Sequence, residues 1–239
     1  MSVTERYRSA WEGYWGGVPE APGEVIWDSD PALAAEPHLT LLLPYADPAL
    51  PVVDLGCGNG TRTRHLAGHF PRAVGVDLSR AAVERARRAD PEGLAEYEQL
   101  DLVDAAAVRS LHERLGDCNV YMRAVIHQSD AADRGPVAAA VARLAGERGR
   151  AFVVELKPAA ATVLAELAQA PGGPPEGLRR VLEHGLRPAE AADGEVAGLL
   201  TGAGLKILAE GDTELTMTAC HPDGRRVRLP ARWFVATGR

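Results

Sequence analysis

The sequence predicts an α/β fold in which helices cover both faces of a seven-stranded, mostly parallel sheet. From Pro51 onward, short apolar segments alternate with helix-like segments, which is typical of a parallel sheet. A glycine-rich turn directly follows the first apolar segment, Val52–Leu55. Near the end of the chain, Pro222–Asp223–Gly224 predicts a hairpin turn. The last strand should therefore run antiparallel to its neighbour.

The apolar segments place the seven strands along the chain. They are predicted at Val52–Leu55, Ala73–Asp77, Glu96–Asp101, Val120–Ala124, Ala151–Glu155, Lys206–Glu210 and Trp233–Thr237. Helices are expected near residues 61–69, 79–89, 104–115, 134–146, 159–169, 176–185 and 189–202. The last two helices follow a proline- and glycine-rich break at Pro171–Pro175.

Residues 1–50 differ from the rest of the chain because they are rich in aromatic side chains. A short helix is expected to carry Trp11 and Trp15 on one face, four residues apart. A Gly/Pro-rich loop should then lead to Trp27. A second helix is predicted over Pro31–Leu43, with Asp30 as its N-cap, and Pro37 should kink or split it. The chain thus divides into an N-terminal segment, 1–50, and an α/β part, 51–239, which we expect to fold as one unit.

Composition excludes several classes of function. The formal net charge of −7 argues against electrostatic binding of nucleic acid or of an anionic membrane. The three cysteines are widely spaced, and Cys220 beside His221 lacks further ligands, so no metal site is expected. We find no long apolar run and no signal-peptide pattern, which favours a cytoplasmic protein.

The most informative segment is Asp54-Leu-Gly-Cys-Gly-Asn-Gly60, in which Gly56, Gly58 and Gly60 alternate with other residues. Glycine tolerates positive φ and lets a ligand lie directly against the backbone. The helix that follows would point its N-terminal amides at that ligand. This turn predicts a nucleotide-like ligand at the carboxyl end of the first strand.

The segment resembles the first motif of the class I S-adenosylmethionine (SAM)-dependent methyltransferases, which implies a Rossmann-like sheet and SAM as the cofactor. The resemblance implies that Asp77, with Leu78 beside it, binds the ribose hydroxyls. It also implies that Asp101 accepts the adenine amino group while Leu102 packs on the ring. Asp54 should accept amides of its own turn or contact the methionine amino group through water. A nicotinamide cofactor is the rival, but it would favour a third glycine one position later.

The fourth strand should end beside the transferable methyl group. Arg123 and Ala124 are expected at the methionine end of the cofactor, and His127 is the candidate general base and acceptor contact. The alternative for His127 is a histidine bonded to local backbone at a helix start. Glu155 is a second candidate base, although pairing with Lys157 or Arg123 is favoured for it.

The N-terminal aromatic residues Trp11, Trp15 and Trp27 have two interpretations. They can simply pack onto the domain. Class I methyltransferases commonly place such a segment over the active site as a lid, and this one resembles the corresponding part of thiol and thiopurine S-methyltransferases. That resemblance implies that the three tryptophans contact the acceptor.

Together these features predict a methyltransferase that acts on O, S or N of a small molecule, with secondary metabolites and thiols among the expected acceptors. It should be a monomer or a homodimer without nucleic-acid or membrane partners. Two alternatives remain open at this point. One is a SAM-binding enzyme that catalyses a rearrangement or cyclisation without methyl transfer, and the other is a nicotinamide-dependent oxidoreductase.

Overall fold

The computed structural model describes residues 3–170, 172–186, 192, 194–221 and 223–238. Its seven strands are β1 (Val52–Leu55), β2 (Ala73–Asp77), β3 (Glu96–Gln99), β4 (Asn119–Arg123), β5 (Arg150–Leu156), β6 (Lys206–Cys220) and β7 (Arg226–Thr237). They form one sheet in the order β3-β2-β1-β4-β5-β7-β6. The pairs among β1 to β5 are parallel, and β7 runs antiparallel to both β5 and β6. The predicted fold class, including the reversed last strand, is confirmed.

The helices that the structure describes are α1 (Val3–Gly17), α2 (Pro31–Ala34), α3 (Glu36–Leu42), α4 (Thr61–Leu66), α5 (Arg80–Arg88), α6 (Ala105–Leu115), α7 (Ala131–Ala145), α8 (Ala159–Ala168), α9 (Glu176–Glu183) and α10 (Glu195–Gly202). A 3-10 turn, Ile126–Gln128, joins β4 to α7. Parts of three sequence predictions, at Pro171, residues 189–191 and 193, and Pro222, lie outside the described residues.

Both faces of the central strands are buried because helices cover each of them, which explains why these strands are apolar along their whole length. Tyr121 and Phe152 belong to an apolar cluster on one face, where their rings stack with centroids 5.7 Å apart. Met122 and Val153, one position further along each strand, belong to the cluster on the other face. Because helices cover both faces, a ligand can reach the sheet only at the edge where the carboxyl ends of the parallel strands lie.

The helix expected over Pro31–Leu43 is split, as predicted for a helix containing Pro37. It is divided into α2 and α3 at Ala35, with Pro37 inside the first turn of α3. The Asp30 side chain caps α2 by accepting from Ala32 N at 2.9 Å, as predicted. β6 and β7 are much longer than expected.

The excess length of β6 and β7 forms a hairpin that extends beyond the rest of the sheet. β5 ends at Leu156, opposite Ala231, whereas the β6–β7 pairing continues through Leu215 and Leu229. The hairpin therefore overhangs the carboxyl edge of the parallel strands.

The N-terminal segment lies over the same edge. Thr218 of the overhanging hairpin donates its backbone N–H to Ile26 O at 2.7 Å, and the Ser29 hydroxyl donates to Thr216 O at 2.9 Å. On the other side, the Glu12 carboxylate of α1 accepts from the Ser79 hydroxyl at 2.7 Å, at the start of α5. The part of the chain that the structure describes contains no helix long and apolar enough to cross a membrane.

Candidate active site

The glycine turn after β1 forms the floor of a cavity of about 500 Å³, which Gly56 and Gly58 both line. Each of them has positive φ, +73° and +56°. A Cβ on Gly56 would lie 2.6 Å from Val125, and a Cβ on Gly58 would lie 2.7 Å from the Trp15 ring. Neither position can therefore carry a side chain without displacing Val125 or Trp15.

Gly60, the third glycine of the predicted motif, does not line the cavity. It also has positive φ, +75°, and a Cβ there would meet Tyr97 at 2.7 Å and Ala86 at 2.9 Å. Gly60 thus lets the turn pack closely against β3 and α5. The sequence pattern alone could not separate this packing position from the two cavity positions.

Asp77, at the end of β2, lines the cavity together with Leu78. Its carboxylate accepts from Gly58 N and from Ser79 N, both at 2.9 Å. The pKa of Asp77 is raised to about 6, mainly by burial and also by the nearby acids Asp54 and Glu12, against the lowering effect of the two amides. The carboxylate is therefore held rigidly beside the glycine turn by the two amides.

Asp101 and Leu102 line the cavity beyond β3, as predicted. One oxygen of Asp101 accepts from Val103 N at 3.1 Å, and the other forms a 2.6 Å ion pair with Arg8 of α1. The pair connects the N-terminal helix to the predicted adenine end of the site. The sequence did not predict that Arg8 would bind the carboxylate that was expected to accept the adenine amino group.

Asp54 lies beneath the turn, is almost fully buried and does not line the cavity. Its carboxylate accepts from the Thr63 hydroxyl at 2.7 Å, whereas the turn was predicted to supply backbone amides. The reason is that α4 places Thr63 directly opposite β1. Desolvation raises the pKa of Asp54, and the nearby Arg62 and Arg123 counteract that shift.

Arg123, at the end of β4, lines the cavity and is only 6% exposed. Among the described residues, no hydrogen-bond acceptor contacts its Nε or its Nη2. Desolvation, together with the nearby Arg62, lowers the pKa of Arg123 to about 10. A buried guanidinium with unused donors is a candidate binding group for an anion.

Arg62, which sequence reasoning missed, also lines the cavity. It is buried and lies 3.5 Å from an Asp28 carboxylate oxygen, while Asp28 accepts from Asn59 and Thr61 at 2.6 Å and 3.0 Å. Arg62 could have been predicted as a site residue from its position in the first turn of α4, directly after the glycine motif. Arg62 and Arg123 thus form a positively charged corner beside the turn.

His127 and Glu155 form a buried pair in the wall of the cavity. His127 Nδ1 lies 2.6 Å from a Glu155 carboxylate oxygen, and only His127 of the two lines the cavity. The same carboxylate accepts from the backbone amides of Val125, Ile126 and His127 at 2.9, 2.8 and 3.2 Å. The predicted pairing of Glu155 with Lys157 or Arg123 is wrong, since Lys157 binds Asp212.

This geometry determines the tautomer of the imidazole. Because Glu155 can only accept, His127 Nδ1 donates to it and Nε2 keeps its lone pair in the neutral ring. The Gln128 side-chain amide donates to Nε2 at 3.0 Å. Ala124, at the bend before His127, has φ +61° and is the only non-glycine residue with positive φ among those described. The bend directs this turn into the cavity.

The aromatic side chains of the N-terminal segment cover the cavity opposite the glycine turn. Trp11, Trp15 and Trp27 all line it, together with Tyr7. The Trp27 ring contacts those of Trp11 and Trp15, with centroids 5.6 and 6.1 Å apart. The three tryptophans therefore both pack on one another and face the cavity.

A second part of the cavity, here called the apolar chamber, extends along β5 toward the hairpin. It is lined mainly by Leu156, Leu164, Leu178, Leu182, Met217 and Leu229. These residues come from the end of β5, from α8 and α9, and from the overhang of β6 and β7. The hairpin residues were not predicted to line a site, because the predicted β6 ended at Glu210.

One group of side chains elsewhere offers ligand atoms for a metal ion. Glu36, His65 and His69 place one such atom each within 4.8 Å of one another. None of the three lines the cavity, and a 3.0 Å ion pair between His65 and Glu36 explains part of their proximity.

Comparison with known proteins agrees with this geometry. A family model described as a methyltransferase domain matches residues 52–149. The structure is similar to the crystal structure of a SAM-dependent methyltransferase from Anabaena variabilis, with a TM-score of 0.88 and 28% sequence identity over 100% of this chain and 96% of that one. No curated protein sequence shows significant similarity to the chain.

Two more distant structures share the fold. One comes from work on the conversion of a disulfide bond into a thioacetal group during echinomycin biosynthesis, with a TM-score of 0.69 and 20% identity over 99% of this chain and 92% of that one. The other is magnesium protoporphyrin IX methyltransferase from Synechocystis PCC 6803 with bound S-adenosylhomocysteine (SAH). It has a TM-score of 0.53 and 20% identity over 80% of this chain and 75% of that one.

Proposed function

We propose that this chain, which contains a methyltransferase domain over residues 52–149 and is similar along its whole length to a SAM-dependent methyltransferase, methylates an oxygen, sulfur or nitrogen atom of a small molecule. The observation that carries the proposal is the His127–Glu155 pair. It lies in the wall of a single cavity that the glycine turn also lines. The nicotinamide alternative is set aside, since the fold and cofactor are those of a methyltransferase.

The residues around the glycine turn fit the cofactor. Gly56 and Gly58 line the cavity with bare backbone, and Asp77 is fixed beside this turn as an acceptor for hydroxyl groups. Leu78, which follows Asp77, and Leu102, which follows Asp101, line the same cavity with apolar side chains. When bound, SAM supplies an electrophilic methyl group on a sulfonium sulfur. We assign Asp77 to its ribose, and Asp101 and Leu102 to its adenine.

The methionine end of the cofactor carries a carboxylate, and Arg123 offers unused, buried donors for it. Arg62 increases the positive charge in the same corner. A charge-assisted hydrogen bond in such a dry site is worth about 1.5–3 kcal/mol. We therefore assign Arg123 to the methionine carboxylate, with Arg62 in support. Asp54 and Gly60 act from behind the turn by holding its shape.

His127 can act as the general base. Its Nε2 lone pair remains available after Nδ1 has donated to Glu155, and a shift of the Gln128 amide would free it for an acceptor proton. The Glu155 carboxylate would stabilise the imidazolium that forms. A hydroxyl or a protonated amine needs such a base, whereas a thiolate does not.

The aromatic side chains of Trp11, Trp15 and Trp27 are proposed to close the site from above and to contact the acceptor. Excluding water protects the reactive methyl donor from hydrolysis and removes a competing nucleophile. The contacts of α1 with Asp101 and Ser79 would hold this cover in place.

A second candidate reaction is favoured by one comparison. The structure connected with conversion of a disulfide bond into a thioacetal group covers nearly the whole chain. This likeness favours sulfur as the acceptor atom. The alternative to simple methyl transfer is a SAM-dependent rearrangement catalysed on the same fold.

Incubation with SAM and matched acceptors tests the proposal. Alcohols, thiols and amines on one carbon skeleton would be supplied, and both SAH and the product mass would be measured. We expect one SAH for each methyl group gained by an acceptor. Product formation with no gain of a methyl group would favour the rearrangement instead. His112→Ala, which changes a histidine paired with Asp117 and remote from the cavity, is the matched control for His127→Ala.

A further inference from the structure

The sheet order separates the cavity into two chemically different halves. Asp77 and Asp101 stand at the ends of β2 and β3, on one side of β1. The apolar chamber lies at the opposite end of the sheet, against β5, β7 and β6. His127 follows β4 and Glu155 ends β5, so the pair stands between the two halves.

Charged side chains are confined to one of these halves. Among the described residues that line the cavity, the charged or titratable ones are Arg62, Asp77, Asp101, Arg123, His127 and Asp133, together with Tyr7. All of them belong to α1, α4, α7 or the ends of β2 to β4. Every lining residue from α8, α9, β6 and β7 is apolar.

Helix α9 shows how this division arises. Its apolar residues Leu178 and Leu182 face the cavity, while Arg179 pairs with glutamates of its own helix and Arg180 with Glu24. The polar groups of the hairpin are also engaged elsewhere, because Thr218 binds the backbone of the N-terminal segment. A polar ligand placed in the chamber would lose its hydration without finding side-chain partners there.

We infer that the acceptor has a predominantly apolar body that occupies the apolar chamber, with its nucleophilic atom directed toward His127. This inference rests on the proposed function and specifies its substrate class. A charged or strongly hydrated body is disfavoured in this half of the cavity, and a longer apolar body gains affinity by burying more surface.

A binding measurement tests the chamber without requiring turnover. The protein, saturated with SAH, would be loaded with the neutral apolar dye Nile red, which is then displaced by butan-1-ol, hexan-1-ol and octan-1-ol. We expect the affinity to rise about threefold to fourfold for each added methylene, as burial of a methylene predicts. Equal affinities for the three alcohols would overturn the inference.

Substitutions in the apolar chamber test whether the alcohols bind there. Leu164→Gln and Leu182→Gln alter half-buried chamber residues and should weaken octan-1-ol binding about tenfold, while SAH affinity stays unchanged and shows that the site is folded. Leu208→Gln is the matched control, since Leu208 is an exposed leucine of β6 that does not line the cavity. An equal loss in the control variant, or no loss in the chamber variants, would overturn the inference.

The test also separates this inference from the proposed function. Alcohol binding that depends on chain length, without SAH formation from any acceptor, would support the chamber and contradict methyl transfer. Efficient SAH formation from hydrophilic acceptors, with equal alcohol affinities, would contradict the chamber alone.

Discussion

The indole of Trp15 lies directly over the backbone of Gly58, at a distance that leaves no room for a side chain. A Cβ on Gly58 would lie 2.7 Å from the ring, in a turn whose φ of +56° already disfavours other residues. The N-terminal aromatic segment and the glycine turn are therefore in direct contact at these two residues. A substitution at either residue should displace the other.

Gly58→Ala should lower SAH affinity about tenfold to a hundredfold, since relieving the clash with Trp15 costs about 1–3 kcal/mol and must shift the turn or the indole. Calorimetric titration measures this loss. Gly93→Ala is the control, because Gly93 has a similar φ of +65° but no atom near the added Cβ. Gly93→Ala should lower stability while leaving SAH affinity intact. An equal loss of SAH affinity in Gly93→Ala would show that the effect of Gly58→Ala does not come from its contact with Trp15.

Asp77 makes cofactor binding depend on pH. Since its pKa is raised to about 6, the carboxylate becomes protonated as the pH falls through 6 and loses its capacity to accept two hydroxyl groups. SAH affinity should then fall by up to tenfold per pH unit. Asp77→Asn should bind about 1.5–3 kcal/mol more weakly at pH 8 and lose this pH dependence. A pH profile unchanged by the substitution would assign the titration to another group.

Replacing His127 should slow turnover without impairing cofactor binding. We expect His127→Ala to reduce kcat about 10²–10⁴-fold if the imidazole removes a proton from the acceptor. Glu155→Gln should have a smaller effect and shift the pH–rate profile, because Glu155 acts through His127. Full activity of His127→Ala with a thiol acceptor would indicate a thiolate that needs no base.

Arg123 can be tested with ligands that differ in the methionine portion. Arg123→Met should weaken SAH binding about tenfold or more and leave 5′-methylthioadenosine, which lacks the amino-acid portion, unaffected. Arg62→Met should act in the same direction but less strongly, because Arg62 also interacts with Asp28. Equal losses for the two ligands would indicate that the arginines only support the fold.

His38 should make stability depend on pH in the opposite sense to Asp77. Burial lowers the pKa of His38 to about 3, and its Nδ1 lies 2.8 Å from the Tyr121 hydroxyl. The unfolded chain binds a proton near pH 6.5, so this residue reduces the free energy of unfolding by about 1.4 kcal/mol per pH unit below that value. Asp77 adds stability as the pH falls from about 6 to 4. Denaturant titrations of His38→Gln and the unmodified protein should therefore diverge between pH 6 and 4, and parallel curves would contradict this role.

The sequence predicted those parts of the site that depend on local pattern. The bounds of β1 and β2 agree with the structure, because each is a short apolar run that ends in a turn or at an acid. Gly56, Gly58, Asp77 and His127 line the cavity as expected. Their positions follow from strand ends, which parallel pairing brings to one edge.

The remaining features depend on contacts between distant parts of the chain. Glu155 binds His127 because β5 lies beside β4, and no local pattern indicates which hydrogen-bond donor a buried acid will meet. Arg8 and Asp101 meet only after α1 has packed across the sheet edge. The length of the hairpin could have been inferred from the alternation of Leu215 and Met217 with polar residues, but the predicted strand stopped at Glu210.

The two halves of the β6–β7 hairpin have different structural roles. Toward its base, β7 pairs with β5 and completes the sheet, whereas beyond Ala231 it pairs with β6 alone among the described strands. Met217 and Leu229, near the tip, therefore line the chamber from outside the part of the sheet that carries the glycine turn. Such an arrangement would let descendants of one ancestral enzyme acquire new acceptors while keeping the same methyl donor.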